Sequence, residues 1–180
     1  MKNIKYDYLE RMVREIIRQM TLDNYKPDYV VGITRGGLLP ALLISQYFDA
    51  PLETLRVSLR DHAQQECNTW MSTDAFGYVE SSGQEITKSR WDISKRKNIL
   101  IVDDINDTGA TLEWIKKDWE SSCLPDEHYA WDSIWNKSVK FAVLVNNLSS
   151  DFKDIDYASL LVNKAEDDSW IQFPWENWWK

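Results

Sequence analysis

The chain has 180 residues, which suits one domain with a substantial core and leaves little room for a second. Acidic residues outnumber basic ones 29 to 21, for a formal charge of −8. That balance argues against a general nucleic-acid or anionic-membrane binder, because both need a basic face. Apolar residues make up 43% of the chain, enough to fold rather than stay disordered. No apolar run reaches the ~18 residues of a membrane span. Residues 1–10 are polar and charged, without the apolar stretch of a signal peptide, so a cytoplasmic location is expected. Cys67 and Cys123 show no metal-ligand spacing and read as free thiols. Tryptophan is unusually frequent, 10 residues, with Trp170, Trp175, Trp178 and Trp179 crowded at the end.

Leu9, Val13, Ile16, Ile17 and Met20 recur at helical spacing and predict an amphipathic helix over residues 6–20. The run Tyr-Val-Val-Gly-Ile at 29–33 predicts a strand buried on both faces. It ends in Thr34-Arg35-Gly36-Gly37, followed by a helix over 38–48 that tolerates Pro40 only in its first turn. A second strand is expected over 52–58. Residues 60–97 are polar, with weak strand signals around 76–80, and read as a long excursion or small subdomain. The clearest strand is Asn98-Ile99-Leu100-Ile101-Val102, which runs into Asp103-Asp104-Ile105-Asn106-Asp107-Thr108-Gly109-Ala110-Thr111. Leu112, Ile115 and Trp119 continue as a helix, and further strands are expected at 139–145 and 157–162. Alternating strands and helices predict an α/β domain whose central, mostly parallel sheet is flanked by helices.

In such a sheet, ligands bind beyond the carboxyl ends of the strands. Two of these ends carry chemistry. Asp103 and Asp104 are adjacent carboxylates at the end of an apolar strand, a costly placement unless something cationic or hydroxylic meets them. Thr108, Gly109, Ala110 and Thr111 follow at a helix start, where backbone N–H groups, hydroxyls and the helix dipole can hold a phosphate. One loop therefore offers carboxylates for a metal or sugar hydroxyls and, a few residues on, a phosphate cradle. A sugar phosphate is the economical ligand. At the other strand end, Arg35, Gly36 and Gly37 offer a cation and backbone donors for a phosphate or pyrophosphate. Neither GxxxxGK[ST] nor GxGxxG occurs.

The segment Ile101 to Thr111 resembles the phosphoribosyl pyrophosphate motif of the type I phosphoribosyltransferases. Val31 to Ala41 resembles the pyrophosphate loop of their xanthine-guanine and hypoxanthine-guanine subgroup. Trp170-Ile171-Gln172-Phe173-Pro174-Trp175-Glu176 resembles that subgroup's base-binding C-terminal segment. The resemblance implies one transferase domain with a mobile hood over about 60–97 and a base-binding segment over about 165–180. It implies that Asp103 and Asp104 hold the ribose hydroxyls, directly or through Mg²⁺, and that Thr108 to Thr111 bind the 5′-phosphate. Arg35, Gly36 and Gly37 would hold pyrophosphate, after a cis peptide at Thr34–Arg35. Asp107 would move the proton at N7 of a purine. Trp170 or Ile171 would stack on the base, with Glu176 in the same segment.

One departure stands out. The subgroup carries a base-reading lysine after the strand that here ends at Val145, where this chain has Asn146-Asn147. An asparagine NH₂ can donate to a carbonyl, but without charge, which leaves the choice of base open. The activity implied is Mg²⁺-dependent transfer from phosphoribosyl pyrophosphate to guanine, hypoxanthine or xanthine in purine salvage, by a homo-oligomer (dimer or tetramer). Two alternatives remain: a regulator that keeps the fold as a ligand sensor, and a transferase for a pyrimidine. Lys88, Arg90, Lys95, Arg96 and Lys97, and His62 beside Asp61, read as surface residues. Trp131 and Trp135 at i, i+4 are expected to pack on the sheet or on a partner subunit.

Overall fold

The computed structural model describes residues 2–57, 74–77, 92–123 and 128–179. Its elements in chain order are β1 (Lys2–Asn3), α1 (Tyr6–Leu22), β2 (Tyr29–Thr34), α2 (Leu38–Phe48), β3 (Leu52–Arg56), β4 (Ile99–Asn106), α3 (Ala110–Ser122), β5 (Val139–Asn147), β6 (Tyr157–Val162) and β7 (Ile171–Gln172). Short 3₁₀ helices cover Ile93–Lys95 and His128–Ser133. Most of the 60–97 excursion, with His62, Cys67, Lys88 and Arg90, lies outside the described residues.

Five strands form one all-parallel sheet in the order β3-β2-β4-β5-β6. Side chains alternate across its faces, as a strand period of two requires. Val30, Leu100, Val102 and Ala142 point to the side covered by α1 and α2, where Leu9, Met12, Ile16, Ala41 and Ile44 are buried. Val31, Ile99, Ile101, Phe141 and Val143 point to the opposite side, against Leu112, Ile115 and Trp119 of α3. Both faces are therefore apolar, which explains why β2 and the first half of β4 read as unbroken apolar runs rather than alternating ones.

Trp131 and Trp135 belong to the α3-side core. They stack on each other at 5.0 Å, and Trp135 stacks on Trp119 at 6.0 Å and on Phe141 at 5.6 Å. Of the two expectations for this pair, packing on the sheet is the one realised. The Trp135 indole N–H donates to Glu120 at 2.8 Å.

Two features of the fold differ from the sequence reading. First, β4 does not stop at Val102 but continues to Asn106. Asp103 pairs with Val143 and Ile105 with Val145, so ladder hydrogen bonds to β5 carry the carboxylates within the strand. Second, β1 and β7 form a separate two-stranded parallel sheet, Lys2 opposite Ile171 and Asn3 opposite Gln172. Two residues are too few for a periodicity signal. Lys2 N–H donates to the Trp170 carbonyl at 2.7 Å, and Ile4 N–H to the Gln172 carbonyl at 2.9 Å. Ile4 is itself buried. The N-terminus thus straps the C-terminal segment to the body.

Removing residues 1–4 is expected to accelerate amide exchange at residues 171–173, while β4 and β5 amides keep their protection by hydrogen-exchange mass spectrometry. Trp119→Ala, in a fully buried site, is expected to cost about 3–5 kcal/mol in urea unfolding.

Candidate functional site at the carboxyl ends of the strands

The ends of β2, β4, β5 and β6 converge, as the parallel register demands. The turn after β2 carries Arg35, exposed and following a cis Thr34–Arg35 peptide. Gly36 and Gly37 let this turn lie directly on the end of β4. A Cβ at Gly36 would stand 2.0 Å from Asp104 Oδ2, and one at Gly37 would stand 2.2 Å from the Val102 carbonyl oxygen. No other residue type fits either place. The Gly37 N–H does not serve as the free anion donor expected from sequence, because it donates to the Ile33 carbonyl at 2.8 Å. Gly37 contributes the close approach, and Arg35 the charge.

Asp103 and Asp104 sit side by side beneath that turn. Both are half-buried, and the Asp104 N–H donates to Asp103 Oδ1 at 2.9 Å. Loss of water raises the pKa of Asp103 well above the ordinary carboxylate range, and the neighbouring charge of Asp104 adds to it. Asp104 is raised as well, first by desolvation, against hydrogen bonds that lower it, with the Glu176 charge adding to the rise. No lysine or arginine among the described residues forms a salt bridge with either. Glu176 is otherwise engaged in its own turn, where its carboxylate accepts the Phe173 N–H at 3.1 Å.

The chain then turns through Asp107 and Thr108 into α3. Gly109 adopts φ 92°, left-handed backbone that favours glycine. A Cβ there would also meet Phe152 N at 2.5 Å. The first-turn N–H groups of α3 have no partners within the helix. Thr108 Oγ1 lies 3.4 Å from Ala110 N, too long for a strong cap. Thr108 and Ala110 are exposed and Thr111 half-buried. A helix N-terminus with free amides beside two hydroxyls has the donors and the dipole to hold a phosphate group.

A buried polar frame fixes this loop from below. Asn106 donates to Asn146 Oδ1 at 2.8 Å and to the Phe152 carbonyl at 3.0 Å, and accepts the Ser150 hydroxyl at 2.8 Å. Asp151 N–H donates to the Thr108 carbonyl at 3.0 Å. Asn146 was the expected base contact. Its carboxamide oxygen accepts from Asn106, so its side chain belongs in part to the frame, while the expectation concerned its NH₂ group. Asn147, unlike the half-buried Asn146, is buried, and it donates to the Asp107 carbonyl at 2.8 Å.

At the C-terminal segment the two stacking candidates separate. Ile171 is 7% exposed and packs in the core cluster beneath α1, so it is not available to a base. Trp170 is 57% exposed. Trp175 stacks on buried Phe173 at 4.9 Å and 7° and supports the segment. Trp178 and Trp179 are exposed. Of the cations near the end of the 60–97 excursion, Arg96 donates to Ser133 Oγ at 2.7 Å. Cys123 is a free thiol that burial pushes up to about 11.

One charged residue at the site was not singled out from sequence. Lys164, two residues beyond β6, places its ammonium 2.9 Å from Asp107 Oδ1. A lone lysine in a polar stretch carries no signal by spacing. Only the β5–β6 register, with Asn147 opposite Val162, brings it here.

The chain matches the family model described as the phosphoribosyl transferase domain over residues 4–178. It is 26% identical over 180 residues to the xanthine-guanine phosphoribosyltransferase of Cereibacter sphaeroides, covering 97% of this chain and 86% of the relative. Among solved structures it is similar to a purine phosphoribosyltransferase from Pyrococcus horikoshii, with a TM-score of 0.63, 24% identity and coverage of 97% and 93%. The xanthine-guanine-hypoxanthine phosphoribosyltransferase of Helicobacter pylori gives a TM-score of 0.65 at 19% identity, with coverage of 98% and 94%. The chain belongs to the phosphoribosyltransferase family, and its five-stranded parallel sheet flanked by helices is that of the type I fold.

The raised pKa of Asp103 has a stability consequence. A carboxyl whose folded-state pKa lies above its unfolded value near 3.9 destabilises the fold once pH rises past that value. Asp103→Asn is therefore expected to raise the melting temperature of the metal-free protein by a few degrees at pH 7. The gain should vanish towards pH 4, as followed by circular dichroism across the pH range.

Proposed function

We propose that this family member transfers a phosphoribosyl group from phosphoribosyl pyrophosphate to guanine, hypoxanthine or xanthine. The products are a nucleoside 5′-monophosphate and pyrophosphate, a purine-salvage reaction in the cytoplasm. The observation that carries the reading is the contact of the Gly36 turn with the Asp103–Asp104 pair, one strand end away from the free amides of α3. A pyrophosphate-sized anion, a ribose diol and a 5′-phosphate are the three parts of one substrate, and the three features lie in that order. The named activities of the relatives support the purine as acceptor.

The donor set suits Mg²⁺. Among the described residues these two desolvated carboxylates have no cationic partner, and no larger cluster of ligating side chains occurs. Mg²⁺ typically takes one or two protein carboxylates and fills its remaining positions with water and substrate oxygens. When bound, it neutralises charge on the departing pyrophosphate. The chain's own residues do the rest. Arg35 binds the leaving pyrophosphate. Thr108 to Thr111 hold the 5′-phosphate and so orient C1 of the ribose. As the bond from C1 to the pyrophosphate oxygen breaks, positive charge grows on the sugar ring, and the carboxylates of Asp103 and Asp104 stabilise it. The base nitrogen N9 bonds to C1, and the proton on N7 passes to Asp107. Trp170 supplies the exposed aromatic face at the base end. The apolar side chains left exposed on α1 and α2, including Leu22, Leu38, Leu42 and Tyr47, support assembly as a homo-oligomer.

The test is pyrophosphate release with phosphoribosyl pyrophosphate, Mg²⁺ and a panel of guanine, hypoxanthine, xanthine, adenine, uracil and orotate. Release with at least one of the first three, and none with the pyrimidines, is expected. Asp107→Ala should lower kcat about 10²–10⁴-fold with an unchanged circular dichroism spectrum. No release with any base overturns the reading.

A further inference from the structure

Lys164 has no part in the mechanism above, yet its placement is too constrained for a solvated surface lysine. Its side chain is only 13% exposed, and its ammonium meets Asp107 Oδ1 at 2.9 Å and lies 5.9 Å from the centre of the Trp170 ring. Asn147 ties the two partners together through their backbones. Its Nδ2 donates to the Asp107 carbonyl at 2.8 Å, and its Oδ1 accepts the Lys164 N–H at 2.9 Å. Asn147 is 6% exposed. One buried carboxamide therefore sets the spacing between a carboxylate and an ammonium at the mouth of the site.

We propose that Lys164 is the specificity-determining residue for the base. With Asp107 it presents an acceptor and a donor side by side, matched to the N7–H and O6 edge of a 6-oxopurine. This rests on the transferase reading and deepens it. On that edge of a purine, N7 and the substituent at C6 are neighbours, close enough for one bidentate side chain to contact both. A carboxylate only accepts, and an ammonium only donates, through three N–H groups. Lys164 can therefore hold Asp107 with one N–H and offer another to O6, so the ion pair need not open. A 6-aminopurine would turn its own NH₂ donors towards the ammonium and leave donors on both sides unpaired. A pyrimidine has no N7 for Asp107 to address.

The largely buried stem and the Trp170 face restrict the ammonium to this one place. A freely rotating lysine could retreat from an amino group and would discriminate poorly. Asn147 is the positioning residue of the pair, acting through the Asp107 and Lys164 backbones rather than on the base.

The test is calorimetric binding of inosine 5′-monophosphate and adenosine 5′-monophosphate, in which the Lys164 contact to the C6 substituent survives. Phosphoribosyl pyrophosphate with Mg²⁺ serves as the control ligand. The wild-type chain should prefer the inosine nucleotide at least about tenfold. Lys164→Met should cut that preference by roughly tenfold to a hundredfold, the range of one good base-edge contact. Phosphoribosyl pyrophosphate affinity should stay within about twofold, and Lys164→Arg should restore part of the preference. Three results would overturn the proposal: a wild type without preference, an unchanged preference in Lys164→Met, or loss of phosphoribosyl pyrophosphate binding in that variant. A wild type that discriminates the nucleotides but releases no pyrophosphate with any base would sink the transferase reading alone, and leave the Lys164 result legible.

Discussion

The seating of a two-glycine turn on a pair of desolvated carboxylates is the constraint on which the site depends. Asp104 can lie beneath the Arg35–Gly37 turn only because Gly36 has no side chain, and the turn can reach the end of β4 only because Gly37 has none. Burial, with no salt bridge from the described residues, raises the pKa of both carboxyls. That is unfavourable for the isolated chain, and it suits the metal-bound, polyanionic ligand proposed above. The cost to folding and the proposed capacity to bind come from the same two side chains.

An all-parallel sheet makes this arrangement possible. Every strand points its carboxyl end the same way, so the turn after β2, the carboxylates of β4, the paired asparagines ending β5 and the lysine past β6 meet at one edge. The frame of buried Asn106, Asn147 and Ser150, joined by half-buried Asn146, then converts that convergence into fixed distances. Hydrogen bonds that polar side chains of this kind make to one another and to the backbone hold them in one geometry. The stacked indoles of Trp119 and Trp135 with Phe141 pack the α3-side face of the sheet.

The missing charge at Asn146–Asn147 takes a different meaning in this context. The β5 end has lost a cation relative to the resembling subgroup, but β6 lies beside it in parallel and Lys164 carries a cation back to Asp107. Asparagine at 147 is then no weak substitute for lysine. It is the hydrogen-bonding group that spaces the carboxylate and the ammonium.

Much of the fold was legible in the chain. Apolar periodicity located α1, β2, α2, β5 and β6, because burial on one or both faces writes its period into the sequence. The local motifs, Arg35 to Gly37 and Asp103 to Thr111, were legible because turn geometry and helix capping act over a few neighbouring residues. Tertiary structure alone decided the rest. The pairing of Asp107 with Lys164 spans 57 residues, and the β1–β7 strap joins the two ends of the chain. The burial of Ile171 beside an exposed Trp170 follows from that strap. Such contacts are set by which strands lie side by side and in what register, and no local pattern of residues encodes a partner so far along the chain.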